Sequence, residues 1–237
     1  MALERLGLIK TSLVDFPGKV AATVFTYGCN LRCPYCHNAN LVVGGTPEDF
    51  LDREDVLAFL RKRARVLDGV AVTGGEPLIH PDLPDFIAAL REMRLQIKVD
   101  TNGLLPGRLE SLDADYVAMD LKSAPARYDR LGPVGAVAAT TSDRILRSLS
   151  ILRNRRRDGR GNYELRTTVA PGVVTEEDFR IMAGLLQEGE RIVLAPFRGG
   201  PTLDPAWSDS SPPSPEDMAR YAAILGTSGA TVVVREA

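Results

Sequence analysis

From Val20 onward, short β-rich runs alternate with longer amphipathic ones, and this alternation restricts the fold more than any other property of the chain. "VAATVFTY", "GVAVTGG", "QIKVDTNG", "DYVAMDLK", "YELRTTV" and "RIVLAPF" read as strands. Between and after them, "DREDVLAFLRKRARVL", "DLPDFIAALREM", "TSDRILRSLSILRNR", "TEEDFRIMAGLLQEG" and "SPEDMARYAAIL" read as helices. Asp52 and Asp82 stand where N-caps belong. Thr175 and Asp178 are spaced as a capping box, and Ser214 precedes Pro215 as a cap before a first-turn proline. Alternation at this spacing means βαβ units and a parallel sheet. Six such units are too few for the usual eight-stranded closed barrel. The predicted class is therefore α/β, a partial (β/α)6 TIM-like barrel, with an open doubly wound sheet as the alternative. "LIKTSLVDFPGKVAATVF" adds an N-terminal hairpin turned at Asp15–Gly18. A single domain is expected over 1–237: hairpin 6–27, core barrel 20–200, and a C-terminal helix and strand, "ATVVVRE", over 214–235.

Composition narrows the function classes. A net charge of −2 supplies no basic field for nucleic acid or a membrane surface. No apolar run approaches the ~20 residues of a membrane span, and the start lacks a signal peptide's apolar core. A cytoplasmic protein is the expectation. The three cysteines fall within eight residues, which does not read as a disulfide framework.

Those cysteines, Cys29, Cys33 and Cys36, lie in "YGCNLRCPYCHN", directly after the first long strand. Parallel α/β sheets build their sites at that end of the strands. Three thiolates can hold a metal or a cluster. A structural zinc site needs a fourth ligand, and the nearest, His37, adjoins Cys36 too closely for an easy tetrahedron. A catalytic zinc with an open position remains a possibility. A [4Fe–4S] cluster held by three thiolates leaves one iron without a protein ligand, free to bind a small molecule.

Cys29-x-x-x-Cys33-x-Tyr35-Cys36 after a strand resembles the signature of the radical S-adenosylmethionine superfamily. The resemblance implies that the open iron chelates S-adenosylmethionine. The reduced cluster would then split it into methionine and a 5′-deoxyadenosyl radical that abstracts a hydrogen atom. It also places Tyr35 and His37 beside the cofactor.

The other strand ends agree. "TGGEP" closes the second strand: Gly74 and Gly75 let a ligand approach the backbone, and Glu76 offers a carboxylate suited to an ammonium group. It resembles the superfamily's glycine-rich motif for the cofactor's amino group. "VDTNG" sets Asp100, Thr101 and Asn102 after the third strand, where a simple turn is the alternative. By resemblance to glycyl-radical activating enzymes, Asp100 and Thr101 hold the cofactor's carboxylate region. "AMDLK" puts Asp120 and Lys122 on one face of the fourth strand, either as a salt bridge or, by resemblance, toward the cofactor and substrate. Arg166 and Thr168 share one face of the next strand, opposite Thr167. Phe197 is assigned to the adenosyl pocket; activases of the pyruvate formate-lyase type tend to carry a histidine near this strand end, which this chain lacks.

The run "LRNRRRDGRG" reads as solvated charge at a helix end or as a docking patch for an acidic partner. Trp207, in the proline-rich loop "DPAWSDSSPPSP", is either a packing anchor or a contact for a protein substrate. "KTSLVDFPGKVAATVF", "CPYCHNANLV" and "FRGGPTLDP" most resemble the activating enzymes of anaerobic ribonucleoside-triphosphate reductase. That implies an oxidoreductase acting on a glycine of a partner reductase, with a flavodoxin or ferredoxin-type electron donor. The absence of further cysteines leaves no ligands for an auxiliary cluster. The alternatives are a pyruvate formate-lyase activase, a small-molecule enzyme such as 7-carboxy-7-deazaguanine synthase, and a non-catalytic zinc-binding protein.

Overall fold

The computed structural model describes residues 2–43 and 48–235. In chain order the elements are β1 (Arg5–Ser12), β2 (Ala21–Thr26), α1 (Ala39–Val42), β3 (Leu51–Asp52), α2 (Arg53–Arg63), β4 (Gly69–Gly74), α3 (Leu83–Glu92) and β5 (Gln96–Thr101). Then come α4 (Pro106–Glu110), β6 (Tyr116–Asp120), α5 (Thr141–Arg157), β7 (Asn162–Val169), α6 (Glu176–Leu185), β8 (Arg191–Pro196), α7 (Pro215–Gly226) and β9 (Thr231–Val234). β9 uses the start of the run "ATVVVRE"; Glu236 lies outside the described residues.

Among the described residues the strands form one nine-stranded sheet in the order β3-β1-β2-β4-β5-β6-β7-β8-β9. β1 pairs antiparallel with β2 and β3, which is the expected N-terminal hairpin. From β2 through β9 every neighbouring pair is parallel. Each crossover moves one place in the same direction, as in a barrel; a doubly wound sheet would reverse direction part-way. The edge strands β3 and β9 do not pair with each other, so the barrel stays open on one side.

Burial explains why the strand runs were legible. In β4, Val70, Ala71 and Val72 are all buried, because helices cover one face and the barrel interior lies on the other. The outer layer is apolar: Val56, Leu57 and Leu60 of α2 and Phe86, Ile87 and Leu90 of α3 pack onto it. The capping box of α6 is present, with Thr175 accepting from the Asp178 N–H and Asp178 accepting from the Thr175 N–H. Ser214 caps α7 by accepting from the Asp217 N–H.

Two expected caps do other work. Asp82 makes no side-chain cap; it accepts from the Leu3 N–H at 2.8 Å and pairs with Arg53 at 3.2 Å, tying the N-terminus and α2 to α3. Asp52 makes none either and faces Arg5 at 3.7 Å. The basic run is also only partly solvated. Arg155 is buried and donates to the carbonyls of Leu112, Ala114 and Arg160, while Arg153 pairs with Glu190 at 2.8 Å. These two arginines staple the end of α5 to its neighbouring loops.

Candidate active site

Cys29, Cys33 and Cys36 border a single cavity of about 330 Å³ at the C-terminal ends of the parallel strands. The same cavity is bordered by Gly74 and Gly75 at the end of β4, Asp100 and Thr101 at the end of β5, and Asp120 and Lys122 at the end of β6. Four consecutive strand ends identified from sequence thus meet in one place. Tyr35 and His37 also border it.

Backbone contact fixes the root of the cysteine loop. Gly75 N–H donates to the Thr26 carbonyl and Glu76 N–H to the Gly28 carbonyl, both at 2.9 Å. A Cβ on Gly75 would lie 1.9 Å from the Gly28 oxygen, and Gly74 has φ +112°. The two glycines are therefore required by the close passage of two main chains, as well as leaving backbone open to a ligand. Inside the loop, the Cys36 N–H donates to the Cys33 carbonyl at 3.0 Å, and the Leu31 N–H points at Cys29 Sγ at 3.4 Å. Asn102 donates from Nδ2 to Asn30 Oδ1 at 2.7 Å and also approaches Cys29 Sγ at 3.9 Å.

Burial, followed by the charge of Glu76, pushes the Cys29 thiol up to about 12; burial pushes Cys33 up to about 11. Such thiols ionise when a metal supplies positive charge. Among the described residues no group of three or more His, Cys, Asp or Glu side chains is drawn together closely enough to hold one metal ion. A cluster that spreads its cysteine ligands over several irons fits three thiols placed around a common cavity.

The barrel interior beside the cysteines carries a chain of ion pairs. Arg166 donates from Nε to Asp120 at 2.9 Å and from Nη1 to Asp100 at 3.0 Å. Lys122 pairs with Asp120 at 2.9 Å, and Lys98 pairs with Asp100. Burial alone would raise the Asp120 carboxyl, but Arg166 and then Lys122 hold it down at about 2. Burial works against the Lys122 ammonium, and Asp120 outweighs it, keeping Lys122 charged. Asp120 and Lys122 are thus fixed in charged form at the cavity wall.

Two expected residues stand elsewhere. Glu76 is 1% exposed and does not border the cavity. Its carboxylate accepts from the Leu78 N–H at 3.1 Å, Thr101 Oγ1 at 2.8 Å and the Asn102 N–H at 2.6 Å. It braces the end of β5 against the turn after β4, and its oxygens are not open to an ammonium group. Burial pushes it up to about 7 against the pull of these donors. Phe197 is fully buried and lies behind the cavity wall, with the His37 ring stacked on it at 5.4 Å and Tyr35 edge-on at 6.5 Å. Among the cavity or loop contacts not assigned from sequence are Asn30, Asn102, Arg166 and Thr168. A signal for the last two existed, since Glu164, Arg166 and Thr168 recur at every second position of a central strand.

Comparison with known proteins fits this geometry. The family model of the Radical SAM superfamily matches residues 23–186, more than half of the chain. A candidate glycyl-radical enzyme activating enzyme of Methanocaldococcus jannaschii is 27% identical over 97% of this chain and 94% of its own. The pyruvate formate-lyase-activating enzyme of Clostridium pasteurianum is 35% identical over 52% of this chain and 54% of its own. A 7-carboxy-7-deazaguanine synthase of Methanopyrus kandleri is 34% identical over 45% and 51%. These last two matches span about half of each protein. Among solved structures, Streptococcus suis SuiB bound to S-adenosylmethionine aligns with a TM-score of 0.61 at 13% identity, covering 89% of this chain and 49% of SuiB, a likeness of fold. The cysteine loop, its place at the strand ends and the span of the family match together show that the chain belongs to the Radical SAM superfamily, whose members use a [4Fe–4S] cluster and S-adenosylmethionine.

Proposed function

We propose that this radical S-adenosylmethionine enzyme is a glycyl-radical enzyme activase whose substrate is an anaerobic ribonucleoside-triphosphate reductase. The observation that carries the activase reading is the likeness to a candidate activase over nearly the whole of both chains. The reductase is the partner that "KTSLVDFPGKVAATVF" and "FRGGPTLDP" favour. The unpaired edges β3 and β9 suit a bulky substrate, because they leave a lateral opening through which a protein loop can reach the strand ends.

In this reading Cys29, Cys33 and Cys36 hold the cluster. Backbone at Gly74 and Gly75 lies against the bound S-adenosylmethionine, and Asp100, Thr101, Asp120 and Lys122 orient its polar end. Together, cluster and cofactor supply a carbon radical able to remove a glycine α-hydrogen. Arg166 keeps Asp120 ionised and bonds both Asp120 and Asp100, fixing their spacing. Tyr35 and His37, backed by Phe197, close the outer side against water.

A small-molecule substrate is the second reading. It is favoured by a polar cavity of about 170 Å³ between Arg166, Thr168, Ala195 and Arg235, on the late-strand side of the site. One experiment separates the two. Reconstituted protein, reductant and S-adenosylmethionine are mixed with the reductase and examined by electron paramagnetic resonance. A glycyl doublet that vanishes when the target glycine is replaced by alanine supports the activase. Cofactor cleavage without any protein radical, together with turnover of a purine precursor, supports the second reading.

A further inference from the structure

Residues 199–210 form a compact loop that the proposed function does not use. The Gly200 N–H closes its neck by donating to the Ser208 carbonyl at 3.0 Å, and Thr202 Oγ1 ties its interior to the Asp204 carbonyl at 2.8 Å. Its tip lies on the cysteine loop. The Leu203 N–H donates to the Cys36 carbonyl at 2.9 Å and the Asp204 N–H to the Pro34 carbonyl at 3.0 Å. His37 Nδ1 donates to the Pro201 carbonyl at 3.2 Å. Tyr35, the residue between Cys33 and Cys36 that faces inward, packs against Trp207 at 6.1 Å and Phe197 at 6.5 Å, and these two rings meet edge to face at 5.6 Å.

The contacts are unevenly shared among the three cysteines. The segment Pro34–His37 is bonded through its carbonyls and its rings to this loop. Cys29 is approached instead by Asn102, just after β5. We propose that the 199–210 loop is a clamp that holds the Cys33–Cys36 segment in its cluster-binding conformation, with Trp207 as its principal positioning residue. A three-thiolate cluster has no spare ligand, so release of this segment exposes iron to loss. Contacts just outside a metal's ligands commonly change its retention by about 10–100-fold. The inference rests on the three cysteines being the cluster ligands and is independent of the substrate.

The test begins with metal-free protein. Iodoacetamide labelling, resolved by site with mass spectrometry, is compared among the parent, Trp207→Ala, Trp207→Phe and Leu203→Pro, the last of which removes the N–H that bonds Cys36. Trp207→Ala and Leu203→Pro are expected to raise labelling of Cys33 and Cys36 relative to Cys29 by about tenfold, and Trp207→Phe to restore most of the parent ratio. In reconstituted protein the same two variants should release iron to a chelator about ten times faster. Far-UV circular dichroism establishes which variants fold, and Leu203→Pro carries the test if Trp207→Ala does not. Unchanged labelling ratios and iron release in folded variants would overturn the proposal. Absence of a glycyl radical with any partner would leave these readouts untouched and would bear only on the activase reading.

Discussion

The two ends of the barrel interior carry the same chemistry in different settings. At the N-terminal end of the strands, Glu164 is buried and accepts from Tyr116 Oη and Arg191 Nε, each at 3.1 Å. Phe16 of the hairpin turn packs against Tyr116 at 6.1 Å and closes that end. At the C-terminal end, Asp100, Asp120, Lys122 and Arg166 form a comparable network, but it borders the cysteine cavity. Charge inside the barrel therefore does not by itself mark a site. What separates the functional end is access, together with three thiols that face the same space.

Mutations can break or sharpen this contrast. The largest effect belongs to the thiols: Cys29→Ala, Cys33→Ala or Cys36→Ala should abolish cluster absorbance and S-adenosylmethionine cleavage, and retained cleavage would end the cluster assignment. Next, Asp120→Asn leaves Arg166 and Lys122 short of an anion at the cavity wall. We expect S-adenosylmethionine affinity, followed by calorimetry, to fall by about 10–100-fold. Glu164→Gln at the other end should leave that affinity within about twofold while lowering stability to denaturant by about 1–3 kcal/mol. Equal loss of affinity in both variants would erase the distinction between the two ends.

A smaller effect concerns pH. Glu76 is raised from 4.5 to about 7 in the folded protein by burial. The folded state therefore binds more protons than the unfolded state between those values. This contribution to stability is complete below about 4.5 and is lost as pH rises through about 7. In metal-free protein, Glu76→Gln should flatten the decline in melting temperature between pH 5 and 8 relative to the parent; parallel curves would show that Glu76 does not titrate there. The smallest effect expected is from Thr175→Ala, which removes the capping box of α6, at a cost of about 1 kcal/mol with cofactor affinity unchanged.

Much of this was legible because period and spacing act locally. Runs such as "GVAVTGG" have nowhere to go but a strand buried on both faces, and the cysteine spacing states its chemistry directly. Asp120 and Lys122 were found by their two-residue spacing on a buried strand. Lys98 and Asp100 obey the same rule and pair with each other along β5; Glu164 and Arg166 obey it too, but their partners lie on other strands and emerge only with the sheet order. Two differences between the sequence reading and the structure have a common cause. Asp82 and Glu76 were read from their chain neighbours, as a cap and as an open carboxylate, whereas each is occupied by donors brought from distant sequence: Leu3 and Arg53 for one, Thr101 and Asn102 for the other. Arg155 looked like solvated charge because a carbonyl gives no sequence signal.

The passage of Gly75 against Gly28 has a consequence for how the site can move. With no room for even a methyl group between them, the glycine turn and the foot of the thiol-bearing loop must shift as one piece. Any ligand held jointly by those two segments is gripped by jaws sharing a hinge, and an alanine at Gly75 would prise them apart by driving its methyl into the Gly28 carbonyl oxygen.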